Sequence, residues 1–200
     1  MIKALAIGAS AGGVEALSRL LPNLQRAEGT SVFVVQHARN GSYLSFVQLL
    51  NRLCALDVKV AQDKCPIEKN HIYIAPPDYH MQVSASFCFS VNKLAKVNYS
   101  RPSIDVLFQS VAEAYRSSAC GLILTGANND GAQGLKKIKE HGGLAIVQSP
   151  LDASFPEMPK SALLAVRPNA VLSLKRLCEL FKNVGKLEDS ISAYLINNPD

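Results

Sequence analysis

The sequence lacks several features that would assign it to a particular class of protein. None of its five cysteines forms a CxxC pair, which argues against a zinc or redox motif and favours a reducing compartment. The four histidines show no metal-ligand spacing, so we expect no bound metal. No apolar run approaches the ~20 residues that cross a bilayer, and the short run at the N-terminus ends at Gly8. We therefore expect a cytoplasmic protein without membrane insertion.

Aromatic residues are also scarce, at 6% of the chain, and the lysines are dispersed. Because no basic stripe carries stacking residues, we do not expect nucleic-acid binding. The net charge of +5 favours an acidic partner in general terms without identifying it. A hydrophobic content of 48% and a charged content of 18% are ordinary for a compact globular protein, and 200 residues fit one domain.

Two strand–helix pairs open the chain. Residues 3–7 and 31–36 are short, apolar and rich in branched side chains, which predicts two buried strands. Apolar residues then recur at helical spacing over 14–21 and over 46–53, and the second helix can be capped within 40–42. Alternating strands and helices indicate a parallel sheet with crossover helices.

The middle of the chain differs, because it carries short extended segments separated by turn residues. We interpret these segments as further strands, with at least one hairpin among them. They cover residues 58–61, 71–75, 81–83 and 87–91. The alternation then resumes with a helix capped by Ser103, a strand at 121–124, a helix at 133–140, a strand at 144–147 and helical segments at 160–165 and 174–181. The predicted fold is α/β, a doubly wound, mainly parallel sheet flanked by helices with a small antiparallel addition.

Three of the predicted strands end in loops that carry chemically capable side chains. Ser10 follows the first strand, His37 follows the second, and Asp130 lies in the loop after the strand at 121–124. Because open parallel sheets bind their ligands at the carboxyl ends of the strands, we expect these side chains to meet. Together they predict a serine esterase with Ser10 as nucleophile, His37 as general base and Asp130 as the residue that orients the base. The structural alternatives are a hydrogen-bonded loop histidine and, for Asp130, a helix N-cap.

Ser10 lies in a G-x-S-x-G motif with Gly8 and Gly12. This motif suits a nucleophile that stands on a sharp turn between a strand and a helix. A phosphate-binding turn of a dinucleotide-binding fold uses the same geometry. That fold also needs an acidic residue at the end of the second strand, where this chain has Gln36 and His37.

Long blocks of the sequence resemble, in matching order, the CheB-type protein-glutamate methylesterases of bacterial chemotaxis. The blocks are IGASAGG at 7–13, VQH at 35–37, IYIAPPDYH at 72–80, RPSIDVLF at 101–108, LILTG at 122–126, NDGA at 129–132 and MP at 158–159. The resemblance implies that residues 1–200 form a single methylesterase domain without a receiver domain. It also places the family's catalytic serine, histidine and aspartate on Ser10, His37 and Asp130.

The implied activity is hydrolysis of γ-glutamyl methyl esters on chemoreceptor proteins to glutamate and methanol, with deamidation of glutamine side chains as a second reaction and no cofactor. The implied partners are the cytoplasmic helices of methylated chemoreceptors. Arg39 and Arg101 are candidates for contacting acidic neighbours of the substrate, against ordinary surface or loop-bracing duties.

The chain departs from the family pattern at two points. The loop before the aspartate often reads GMGNDG in the family, whereas Ala127 and Asn128 replace its methionine and second glycine here. This change motivates an alternative function, a catalytically weakened scaffold that binds signalling partners through the same surface. Family members also commonly carry an N-terminal receiver domain, and this chain begins directly at the first strand of the esterase domain. It is then a stand-alone enzyme, a piece of a larger protein, or an enzyme regulated by a separate receiver or regulatory protein.

Overall fold

A computed structural model of the chain describes residues 1–24, 29–37 and 43–197. Within these ranges, seven strands form one sheet and two strands form a separate hairpin. In chain order the strands are β1 (Ala4–Ala9), β2 (Ser31–Gln36), β3 (Asp57–Val60), β4 (His71–Ile74), β5 (His80–Val83), β6 (Phe89–Asn92), β7 (Ala119–Ile123), β8 (Leu144–Gln148) and β9 (Ala170–Leu172). The helices are α1 (Gly13–Leu20), α2 (Tyr43–Leu53), α3 (Ile104–Tyr115), α4 (Ala132–Glu140), α5 (Glu157–Ala165), α6 (Leu174–Leu180) and α7 (Leu187–Asn197).

The large sheet is parallel throughout, with the strand order β3-β4-β2-β1-β7-β8-β9. Strands β5 and β6 pair antiparallel outside it. Every residue of β1, β2, β7 and β8 is buried, as expected for parallel strands that are covered on both faces. The predicted fold class is therefore confirmed.

Helices cover the two faces of the sheet in separate sets. Helices α1, α2, α6 and α7 bury their apolar residues against one face. Helices α3, α4 and α5, together with the hairpin, pack on the other face. The chain thus leaves the neighbouring strands β1 and β7 toward opposite faces. Such a switch in direction opens a crevice at the carboxyl ends of the two strands.

Three details of the secondary structure differ from the sequence prediction, the first being helix α7 (Leu187–Asn197), which was not predicted. The segment predicted as a strand at 87–91 begins instead at Phe89, because Phe87 has a φ of 56° and belongs to the turn of the hairpin. Strand β9 was not predicted, since three residues at the edge of a sheet are too short to show a hydrophobic pattern. The predicted helix cap at 40–42 lies outside the described residues.

The described part of the chain contains no helix that is long and apolar enough to cross a membrane. All five cysteines are free thiols. In the same part of the chain, no cluster of three or more histidine, cysteine, aspartate and glutamate side chains is arranged to hold a metal ion.

Candidate active site

Ser10 occupies the sharp turn between β1 and α1. Its N–H donates to the Thr125 carbonyl at 3.0 Å, and its own carbonyl accepts from the Gly13 N–H at 2.9 Å. Gly12 makes the turn possible with a left-handed φ of 77°, a conformation that glycine adopts without steric penalty. Gly8 serves a different purpose, since a Cβ there would lie 2.4 Å from the Ile104 side chain. The absence of a side chain at Gly8 thus allows α3 to pack closely against β1, and Gly12 forms the turn.

The turn after Ser10 exposes backbone donors at the start of α1. The N–H groups of Ser10 and Gly13 are occupied by carbonyls. Those of Ala11 and Gly12 have no protein partner among residues 1–24, 29–37 and 43–197. Free N–H groups at a helix N-terminus stabilise negative charge, as an oxyanion requires.

His37 directly follows β2, and its N–H donates to the Ala9 carbonyl at 3.0 Å. Its imidazole Nε2 lies 3.0 Å from Oδ2 of Asp130. The Asp130 side chain is fully buried, whereas 15% of the His37 side chain is exposed. Because Nε2 donates to the carboxylate, Nδ1 is the nitrogen that can take up a further proton.

Asp130 is held at the N-terminus of α3. Its carboxylate accepts hydrogen bonds from the Ser103 hydroxyl at 2.8 Å, from the Ile104 N–H at 2.7 Å and from the Asp105 N–H at 3.1 Å. Burial by itself raises the pKa of this carboxyl, but the hydrogen bonds from His37 and from the α3 backbone outweigh it and hold the pKa below its usual range. Asp130 is therefore ionised at neutral pH.

The alternative interpretation of Asp130 as the N-cap of the helix that follows it is wrong. Gly131 is the N-cap of α4, without a side-chain capping bond. The Asp130 carboxylate instead accepts from the first turn of α3, 26 residues earlier in the chain for Ile104. Because α3 binds the Asp130 carboxylate, the carboxylate lies within hydrogen-bond distance of His37.

Gln36 is a site residue that was not predicted, because its sequence position indicated only the lack of an acidic ribose ligand. Its Nε2 donates to the Ser10 carbonyl and to the His37 carbonyl, both at 2.8 Å. The buried side chain thereby links the ends of β1 and β2. A dinucleotide-binding fold needs an acidic ribose ligand at this position. In this chain the residue instead holds the loops of Ser10 and His37 together through its two hydrogen bonds. The sequence feature that could have indicated this role is a polar residue at the end of an otherwise apolar strand, next to His37.

Thr125 joins the Ser10 turn to a neighbouring segment. Its hydroxyl donates to the Ala11 carbonyl at 3.0 Å and accepts from the Phe155 N–H at 2.8 Å. The Phe155 carbonyl in turn accepts from the Gly126 N–H at 3.0 Å. Phe155 is 45% exposed. An apolar side chain therefore borders the site and is tied to it through backbone hydrogen bonds.

Asn128, one of the two residues at which the loop before Asp130 departs from the family pattern, contacts His37. Its Nδ2 lies 3.3 Å from the imidazole Nδ1. Its Oδ1 accepts from the Asp130 N–H at 3.1 Å. Within the described ranges the Ser10 hydroxyl makes no hydrogen bond. The structure thus joins His37 to Asp130 directly and places Ser10 at the adjacent strand end without a bond from its hydroxyl to the imidazole.

Arg101 braces a loop in the structure. Its guanidinium donates to the Asp78 carboxylate at 2.7 and 3.0 Å and to the carbonyls of Lys93 and Leu94. The pKa of the Asp78 carboxyl is lowered, chiefly by these hydrogen bonds from Arg101. The loop-bracing alternative for Arg101 therefore agrees with its contacts. Arg39 lies outside the described residues.

The other histidines are not part of this arrangement. His80 is buried, and its Nδ1 accepts from the Ser103 N–H at 3.3 Å while Nε2 donates to the Ala95 carbonyl at 3.0 Å. It supports the residue that caps α3. His71 and His141 bond backbone carbonyls in their own neighbourhoods.

Comparison with known proteins decides the family. The sequence profile of the CheB methylesterase family matches residues 5–181. The chain belongs to this family. A Leptospira interrogans protein named "Putative protein-glutamate methylesterase/protein-glutamine glutaminase" is 46% identical over 179 residues, which cover 90% of this chain and 93% of that protein.

Some CheB methylesterases similar to this chain are longer than it. The protein-glutamate methylesterase/protein-glutamine glutaminase of Salmonella typhimurium is 39% identical over 164 residues, covering 80% of this chain but 47% of that protein. The crystal structure of the Thermotoga maritima CheB methylesterase catalytic domain matches with a TM-score of 0.83 and 33% identity. The match covers 90% of this chain and 99% of that domain. The resemblance predicted from the sequence is confirmed, and the fold is that of a CheB catalytic domain.

Proposed function

We propose that the chain is a protein-glutamate methylesterase with Ser10 as nucleophile, His37 as general base and Asp130 as the residue that orients the base. One observation carries the proposal: the 3.0 Å contact between His37 Nε2 and the buried Asp130 carboxylate, at the strand end beside Ser10. Membership of the CheB methylesterase family supports the reaction class.

The hydrogen bonds of the imidazole define the path of the proton. His37 Nε2 is engaged by Asp130, so the Ser10 proton passes to Nδ1 as the Ser10 oxygen bonds to the γ-carbonyl carbon of a methylated glutamate. The ionised Asp130 stabilises the resulting imidazolium and keeps the ring in the correct tautomer. The Asp130 carboxylate accepts four hydrogen bonds, and these fix its position beside the imidazole.

The carbonyl oxygen becomes negatively charged in the tetrahedral intermediate. The free N–H groups of Ala11 and Gly12 are the donors available to it at the start of α1. The bond to the methoxy group then breaks, and methanol leaves with the proton held on Nδ1. Water attacks the acyl-enzyme and gives a proton to His37, which passes it to the Ser10 oxygen as the bond to the acyl group breaks and glutamate is released. A glutamine side chain follows the same course with ammonia as the leaving group.

The substrates we propose are methylated glutamates on the cytoplasmic helices of chemoreceptors. Ser10 and His37 are partly exposed, so a side chain carried on a protein helix can reach them. Phe155 beside the site, together with the fully exposed Leu151 in the same segment, offers apolar surface to such a helix. A separate receiver or regulatory protein is a further proposed partner.

Methanol release from purified methylated receptors tests the proposal. Ser10→Ala should abolish release while leaving thermal unfolding unchanged, because the hydroxyl makes no hydrogen bond in the described part of the structure. Ser18→Ala removes a hydroxyl from α1 that bonds its own helix, and it should release methanol at the wild-type rate. A Ser10→Ala protein with a near-normal rate would refute the assignment.

A second candidate function is a catalytically weakened scaffold that binds receptor or signalling partners through the same surface. It is favoured by the contact of Asn128 with the nitrogen that Ser10 needs. A fluorophosphonate probe separates the two functions, since it modifies only an activated serine. Labelling at Ser10 together with methanol release supports the esterase. Receptor binding without labelling supports the scaffold.

A further inference from the structure

Asn128 touches two members of the proposed triad at once. Its Oδ1 accepts the Asp130 N–H at 3.1 Å. Since only the oxygen of the amide can accept that bond, the opposite end that faces His37 must be the NH₂ group. That group lies 3.3 Å from Nδ1 of the imidazole. The bond to Asp130 therefore fixes Asn128 as a donor toward His37.

The same contact constrains the protonation of His37. Nε2–H donates to the ionised Asp130, so Nδ1 carries the lone pair that accepts from Asn128. The proposed reaction needs this lone pair for the Ser10 proton. Asn128 and Ser10 are thus two donors for one acceptor.

We propose that Asn128 is a positioning residue that holds His37 neutral and protonated on Nε2 in the resting enzyme, and that leaves Nδ1 when Ser10 transfers its proton. The inference rests on the proposed function of Ser10 and His37. An imidazole protonated on Nδ1 would face the N–H of Asn128, so the contact disfavours the cation. The Asn128 amide therefore disfavours a proton on Nδ1 and restrains the transfer from Ser10 at the same time.

Other titratable groups lie around the imidazole. Asp130 contacts it directly, and Asp105 on α3 lies behind Asp130, hydrogen-bonded to the Gly134 N–H of α4. His80 reaches the same helix terminus through Ser103. These groups are unchanged in variants of Asn128, so a shift in the pH profile reports on the Asn128 contact.

The rate of Ser10 modification by a fluorophosphonate, measured across pH, tests the inference without a receptor substrate. Asn128→Ala should raise the rate at the alkaline plateau about 2- to 10-fold, the range of one neutral hydrogen bond. It should also move the acid midpoint to higher pH. Asn128→Asp should move the midpoint further, because its carboxylate accepts a hydrogen bond from Nδ1–H of the imidazolium and its charge stabilises the cation.

Stability separates positioning from a structural role. A residue that only shaped the loop would lower the thermal unfolding midpoint in Asn128→Ala and leave the midpoint of the pH profile at the wild-type value. Asn129→Ala is the matched control, since that neighbouring side chain is exposed and has no hydrogen bond in the described ranges. Its profile should be that of the wild type. An Asn128→Ala profile with a lower plateau and an unchanged midpoint would overturn the inference.

Failure of the proposed function gives a different result. If the wild-type protein is not labelled at Ser10, the esterase proposal fails, and ¹⁵N NMR of the His37 ring still tests the Asn128 contact. The expected spectrum is that of the Nε2-protonated tautomer, with a higher titration midpoint in Asn128→Ala. A wild-type ring protonated on Nδ1, or equal midpoints in the two proteins, would overturn the inference even in an active esterase.

Discussion

Asp130 and Asp105 link helices α3 and α4 by reciprocal hydrogen bonds. Asp130, just before α4, accepts from the first turn of α3, and Asp105, in that turn, accepts from the Gly134 N–H of α4 at 2.6 Å. The exchange locks the loop after β7 to α3. The two carboxyl groups respond differently: burial raises the pKa of Asp105, while the hydrogen bonds on Asp130 lower its pKa in spite of burial.

Asp130→Asn should reduce the turnover of methyl-ester hydrolysis by roughly 10⁴, as in other serine triads that lose the charge and the tautomer control of their aspartate. Single-turnover methanol release measures the effect. Asp78→Asn is a matched control, because Asp78 pairs with Arg101 and makes no hydrogen bond to the triad within the described ranges, and it should retain wild-type turnover. An Asp130→Asn enzyme within tenfold of the wild type would contradict the role of Asp130.

Asp105→Asn should stabilise the protein more at pH 7 than at pH 4. The folded pKa of Asp105 is raised, so the folded state loses stability as pH rises from the unfolded value of about 3.9 through the folded pKa. An asparagine cannot ionise and removes that loss. Urea unfolding of both proteins across this range gives the difference in free energy. A difference that shrinks with rising pH would show that ionised Asp105 is favoured by folding.

Gly8→Ala should destabilise the fold by about 1–3 kcal/mol, the usual effect of overpacking. The added Cβ would lie 2.4 Å from the Ile104 side chain, and Ile104 also donates its N–H to Asp130. Activity should fall as well, since α3 must move. In an Ile104→Ala background the same substitution should destabilise much less, which a double-mutant cycle of unfolding free energies measures. Additive effects would show that the two side chains do not collide.

Phe155→Ala should raise KM for methylated receptor about tenfold, equivalent to ~1.4 kcal/mol of binding, because it removes apolar surface beside the site. The rate of Ser10 labelling by a small fluorophosphonate should not change, since the probe does not reach this surface. Phe87→Ala is the control: Phe87 is 47% exposed, close to the 45% of Phe155, and packs on Tyr115 at the other end of α3. Equal KM values for the two variants would show that Phe155 does not contribute to substrate binding.

Much of the fold could be predicted because the buried strands are continuous apolar runs with polar or glycine-rich ends. Those ends placed Ser10, His37 and Asp130 in the loops where the structure has them. The pairing of His37 with Asp130 was expected and is observed. The hydrogen bonds of Gln36 and Asn128 could not be predicted, since each spans residues whose separation depends on how strands and helices pack.

The sequence alone determined the order of most of the elements, the strand-end positions of three chemically capable side chains and the family. These properties reside in local hydrophobic pattern and in residue order, which do not require knowledge of distant contacts. Only the tertiary structure decided which imidazole nitrogen faces Asp130, which helix terminus holds that carboxylate and which amide reaches the other nitrogen. Those outcomes depend on the close approach of α3 to β1 at Gly8, because the approach brings the α3 backbone donors to a carboxylate from a different part of the chain.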